Sequence, residues 1–184
     1  MKVDKAIKAT FNTNLIILNG FLVALLVGTI LLMLPVSSAS GNGTDFITAL
    51  FTATTSLCVT GLVVVPTYAY WSIFGKVIIL ILIQLGGLGI ISFTIGFLII
   101  IGKKISLKER KMIQESYNLD SAQGVLKILR KIFGITLKIE GIGAILYSIQ
   151  FIPEYGIVKG ICYSVFHSVS AFCNAGIDII GNDS

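Results

Sequence analysis

Two uninterrupted apolar runs constrain this chain more than any other feature. Leu15 to Leu34 holds 20 residues without a charge, and Val77 to Ile101 holds 25. A helix needs about 20 apolar residues to cross the hydrocarbon of a bilayer. Both runs therefore read as membrane spans. Ile132 to Ile152 reads as a third, apolar except for Lys138 and Glu140, with Pro153 expected to stop it. Composition agrees: 55% of the 184 residues are hydrophobic and 12% are charged, about half the charge of a soluble domain. A soluble nucleic-acid module, a disulfide scaffold and a disordered chain are all excluded. Lys2, Lys5 and Lys8 ahead of the first run suggest a secretory signal, but the run exceeds a signal core and further spans follow it.

Two other apolar stretches, Phe46 to Leu57 and Ile161 to Phe172, are too short to cross. Their length fits a re-entrant half-helix and an interfacial or core helix equally. Each ends in a Cys-x-x-Gly cluster. Positive charge sets the orientation. The N-terminus carries three Lys, Ser40 to Ser72 carries none, and Gly102 to Lys131 carries eight basic and three acidic residues. That loop alone accounts for the net charge of +5. The N-terminus (1–14) and the loop (102–131) are thus expected to be cytoplasmic, with both short stretches dipping in from the outer side. The loop also offers a docking face for an acidic partner or anionic headgroups.

The dips align with each other at an offset of 115, with Phe51 on Phe166, Cys58 on Cys173 and Gly61 on Gly176. The expected unit is span, half-helix, Gly-containing turn, span: one over 15–101, and part of a second over 132–184. Non-helical backbone inside a membrane needs a partner for its carbonyls. A dehydrated monovalent cation is such a partner. The negative end of the half-helix dipole would face it, and Thr60 would add a hydroxyl.

The stretches TSLCVTGLVVV, QLGGLGIISF (Gln84 to Phe93) and SAFCNAGIDIIGN resemble the Trk/Ktr/HKT superfamily of potassium transporters, with the closest likeness to the KtrB-type membrane subunit. The resemblance implies an all-α integral membrane fold, with repeated helix–pore half-helix–helix units around one cation pathway. It implies K⁺ as the transported ion, with Na⁺ coupling open, and no resident cofactor. By position, Gly61 and Gly176 become filter glycines, and Cys58, Val59, Thr60, Cys173, Asn174 and Ala175 their carbonyl-donating neighbours. It further implies a plasma-membrane homodimer seated on a cytoplasmic KtrA-type nucleotide-binding ring. Four units at this period need about 460 residues. The chain is therefore expected to be an N-terminal portion, and the rival reading is a non-conducting assembly or interaction module.

Other residues have bland readings. Glu140 is expected to be a structural intramembrane carboxylate rather than a functional one. His167 is expected to pack within the second half-helix, and Gly86, Gly87 and Gly89 to admit close helix contacts. Cys58, Cys162 and Cys173 lack metal-ligand spacing and read as small packing residues. Tyr68, Tyr70 and Trp71 read as an interfacial aromatic belt. A carrier binding an organic solute would need polar side chains converging at mid-membrane, whereas the polar groups here cluster in the turns. Nothing in the sequence pairs a nucleophile with a base, so an enzyme is not expected.

Overall fold

The structure is a computed structural model that describes residues 2–89 and 125–181. It is all-α. The elements in order are α1 (Lys2–Met33), a 3-10 turn (Pro35–Ser37), α2 (Phe46–Leu57), α3 (Thr67–Tyr70), α4 (Ile73–Leu88), α5 (Val125–Tyr155) and α6 (Ile157–Phe172). Among the described residues there is no strand, only an isolated antiparallel bridge between Ser38 and Trp71. Residues 90–101 of the second expected span and 102–124 of the basic loop lie outside the described residues. The last part of that loop, from Val125, is already helical.

Contacts divide the chain into two units, Met1–Val23 with Gly89–Ile135, and Ala24–Leu88 with Thr136–Ser184. Everything that bears on the candidate site lies in the second. There α1 ends because Leu34 precedes a proline and turns extended, at φ −65° and ψ 142°. The Ser37 hydroxyl then donates to the Leu31 carbonyl at 2.6 Å, meeting one of the carbonyls a helix end leaves open. Asp45 caps α2 by accepting from the Thr48 amide at 2.9 Å. This backbone N–H holds the Asp45 carboxyl below its ordinary value.

The second unit buries hydroxyls among apolar side chains such as Leu32, Ile79 and Ile83, and is apolar outside. Thr29, Ser37, Thr52, Thr55, Ser56, Ser164, Ser168 and Ser170 are buried, while Ile30, Ile145 and Ile149 are 60%, 66% and 70% exposed. Four of these eight hydroxyls turn back onto their own helix, as Thr29 does to the Leu25 carbonyl and Ser164 to that of Gly160. Small residues at helix contacts with an apolar exterior are the pattern a lipid environment selects. By length and composition, one helix among the described residues, Lys127–Tyr155, is long and apolar enough to cross a membrane. Leu18–Met33, Phe46–Leu57, Ile73–Leu88 and Ile157–Phe172 are shorter apolar helices.

Three expectations change. Pro153 does not stop the third span: it sits inside α5, which continues to Tyr155. Gly156 ends it with φ +81°, and Gly160 lets the returning α6 close onto the backbone of Phe151 and Ile152. The second short helix therefore begins at Ile157 and has 16 residues where 12 were expected. Trp71 is no belt residue. It is 1% exposed, pairs edge-on with Tyr70 at 5.0 Å, and is pinned by the Ser38 bridge, with Gly75 against its ring.

Candidate functional site

The two short helices end in the same way. After α2, the Cys58 amide donates to the Thr54 carbonyl at 2.8 Å and the Thr60 amide to that of Thr55 at 3.0 Å. After α6, the Cys173 amide donates to Val169 at 2.9 Å and the Ala175 amide to Ser170 at 2.7 Å. Each donor and acceptor in the second set lies 115 positions after its counterpart. The dihedrals agree as well. Val59 and Asn174 take φ +56° and +60°, and Gly61 and Gly176 take φ +73° and +66°.

These hydrogen bonds turn the N–H groups back onto the helices. Among the described residues, none ends on the carbonyl oxygens of 58–61 or 173–176. The free carbonyls follow the C-terminal end of a helix in both cases, where the dipole places about half a negative charge. Such a constellation has oxygen lone pairs to spare for a cation.

The fold brings the two turns together. A Cβ on Gly61 would overlap the carbonyl oxygen of Ala175, so the backbones of the turns touch at that position. Gly61 is thus required twice, by its left-handed backbone and by this approach. Gly176 has nothing within 4 Å of where its Cβ would sit, so only its conformation favours glycine. Helix α4 presses on both turns through adjacent glycines. Gly86 lies against the Leu57 carbonyl and Val59, and Gly87 against the side chain of Cys173. Gly89 follows α4, which stops at Leu88, and takes φ +78°.

Sequence reasoning missed the side chains that anchor the turns. The Thr55 hydroxyl is 2.7 Å from that of Thr60 and accepts from the Leu62 amide at 2.9 Å. Its counterpart Ser170 instead donates to the Ile177 carbonyl at 2.7 Å. Both lie within stretches that read only as apolar helix; a hydroxyl at the same register in each was the available signal.

The remaining singled-out residues fall as follows. Glu140, 7% exposed, accepts from the Gln84 amide nitrogen at 2.8 Å. Lys138 is exposed and off that face. His167 donates through Nδ1 to the Tyr163 carbonyl at 2.8 Å, its ring packed by Tyr147, Phe151 and Phe166, as a packing residue would be. Cys58 and Cys162 are exposed, so of the three cysteines Cys173 alone serves in packing. Among the described residues no His, Cys, Asp and Glu group could hold a metal.

An all-α chain with an apolar exterior and irregular backbone held inside protein belongs to the class of integral membrane proteins that pass ions or solutes. The sequence profile of the TrkH family of cation transport proteins matches residues 2–184. The chain is 43% identical to the potassium/sodium uptake protein NtpJ of Enterococcus hirae, over 98% of this chain and 40% of that protein. It is 40% identical to the Ktr system potassium uptake protein B of Bacillus subtilis, over 97% of this chain and 40% of the relative. With the Ktr system potassium uptake protein D of the same organism the identity is 37%, over 99% and 40%. The chain belongs to the TrkH family of cation transport proteins. That family and these relatives are named for cation transport and uptake, and none of those names is an enzyme's. The chain spans about 40% of the length of these curated relatives.

Proposed function

We propose that this chain contributes two walls of a selectivity filter for K⁺ uptake across the plasma membrane. The carbonyls of Cys58, Val59, Thr60 and Gly61 line one wall, and those of Cys173, Asn174, Ala175 and Gly176 line the other. One observation carries the reading: two turns of the same left-handed shape sit backbone to backbone, with the N–H groups of 58–60 and 173–175 tied inward and, among the described residues, the carbonyls unpaired. Oxygens so arranged replace a monovalent cation's hydration shell without proton transfer or a charged ligand. The further walls of an enclosed pathway come from further units of the same kind.

The relatives' names support K⁺ as the cargo, and the name of one adds sodium. The N-terminus and the 102–131 loop face the cytoplasm, because the basic residues concentrate there. The loop faces the KtrA-type ring, and the membrane subunit works as a homodimer.

The test is growth on low K⁺ of a bacterium stripped of its own uptake systems, carrying the full reading frame that encodes this chain. Rescue by the wild type and loss of rescue by Gly61→Ser, at equal membrane abundance, is the expected result. Rescue by Gly61→Ser at wild-type K⁺ levels removes the turns from the pathway. A wild type that inserts and fails to rescue favours the non-conducting interaction module.

A further inference from the structure

The two turns are anchored by different means, and the second anchor contains a buried carboxylate that a carbonyl-lined filter leaves without a role. Glu140 lies in α5, Gln84 in α4, and Cys173 opens the second turn. Gln84 Nε2 donates to Glu140 Oε1 at 2.8 Å, and Gln84 Oε1 accepts from the Cys173 thiol at 3.5 Å. Ser168, one turn of α6 ahead, donates through its hydroxyl to the Glu140 backbone carbonyl at 2.6 Å. A chain of hydrogen bonds thus runs from mid-α5 through α4 into the turn.

The direction of that chain is set by chemistry. Glu140 Oε1 accepts in this arrangement, which goes with the Gln84 rotamer that offers it the NH₂ group. The amide oxygen is then left facing Cys173. A neutral apolar residue at 140 would leave the amide free to flip, and a flipped amide presents a donor to a donor. Gly87 presses on the Cys173 side chain from the same helix, so the thiol has little room to turn away. Among the described residues the first turn has no such relay. It is held locally by the Thr55 hydroxyl.

We propose that Glu140 and Gln84 are positioning residues that set the carbonyl geometry of the second turn and thereby the affinity of the pathway for K⁺. The inference rests on the reading of the two turns as cation-binding walls.

The test is the kinetics of Rb⁺ uptake by cells carrying the full reading frame, with KM and maximal rate read separately and each variant normalised to its membrane abundance. Gln84→Glu sets two carboxylates against each other and raises KM about tenfold. Adding Glu140→Gln to it restores the pattern with the roles exchanged. The carboxylate at 84 then accepts from both the amide at 140 and the thiol, and KM returns most of the way to wild type. Cys173→Ala, a small change that the fold accommodates, raises KM about threefold; it decides the matter if Gln84→Glu fails to insert. A purely structural role lowers the maximal rate at constant KM, and that result overturns the proposal. So does a double exchange that leaves KM as high as the single variant. Gly176→Ser separates this from failure of the filter reading. If Gly176→Ser raises KM while the relay variants leave it unchanged, only the relay is wrong. If Gly176→Ser also leaves KM unchanged, the filter reading falls with it.

Discussion

The turns at 58–61 and 173–176 share a backbone, a leading Cys and a closing Gly, and differ at the two side chains between them. The first places a β-branched residue, Val59, in the left-handed region, where such residues are outliers costing about 1–3 kcal/mol. The second places Asn174 there, a residue that tolerates it. The first carries an exposed Thr60 hydroxyl bonded to Thr55; the second carries Ala175, 1% exposed beneath Gly61. At the matched pairs 55–62 and 170–177 the polar contact even reverses direction, from hydroxyl as acceptor to hydroxyl as donor. Two sets of side chains therefore hold one backbone shape. What the turns have in common is the placement of their carbonyls, and the function proposed for them resides there.

The comparison can be broken most sharply at the glycines. Gly61→Ala adds a left-handed alanine and a collision with the Ala175 carbonyl, so Rb⁺ uptake falls by on the order of a hundredfold. Gly176→Ala adds only the conformational cost of about 1 kcal/mol and lowers uptake about fivefold. Equal losses at the two positions would contradict the asymmetric contact between the turns. Next come the hydroxyl anchors. Thr55→Val removes two hydrogen bonds and costs about 2 kcal/mol, while Ser170→Ala removes one and costs about 1 kcal/mol, both read from thermal unfolding of the purified protein. Exchanging the left-handed residues sharpens the contrast further. Val59→Asn stabilises by about 1 kcal/mol and Asn174→Val destabilises by a similar amount, each a shift of roughly 2–4 °C in Tm.

The smallest effect lies at the helix starts. Asp45 caps α2, and the matching position before the second turn is Gly160, which caps nothing. The Thr48 amide lowers the Asp45 carboxyl's pKa, so its stabilisation is present at neutral pH and is lost as pH falls through the folded-state value. Asp45→Asn should flatten the acid limb of the stability curve slightly and leave the second turn untouched. A measurable change in the Asn174 environment, followed by NMR, would argue against independent anchoring.

Much of this was legible in the residues. The bounds of α2 coincide with the apolar stretch Phe46 to Leu57, because Asp45 and the Cys-x-x-Gly cluster punctuate both ends. The offset of 115 predicted turns at equivalent places, and they share their dihedrals. What stayed hidden depends on distance along the chain. Gln84 and Glu140 lie 56 positions apart, and nothing local marks them as partners. Trp71 reads as a belt residue because an aromatic cluster beside a span has that signature; it is buried instead, with its backbone bridged to Ser38 in another loop. Pro153 reads as a stop because a proline lacks an amide, yet α5 runs through it to Tyr155 at the loss of the bond to the Ile149 carbonyl, and the chain reverses only at Gly156.

The central claim is that the carbonyls of both turns bind the transported cation. Anomalous scattering from Rb⁺ or Tl⁺ bound to the full-length protein tests it most directly. The account predicts density in contact with backbone oxygens of both 58–61 and 173–176, reduced when Gly61 is replaced by Ser. Ordered cation density elsewhere in the pathway, with none at these two turns, would contradict it.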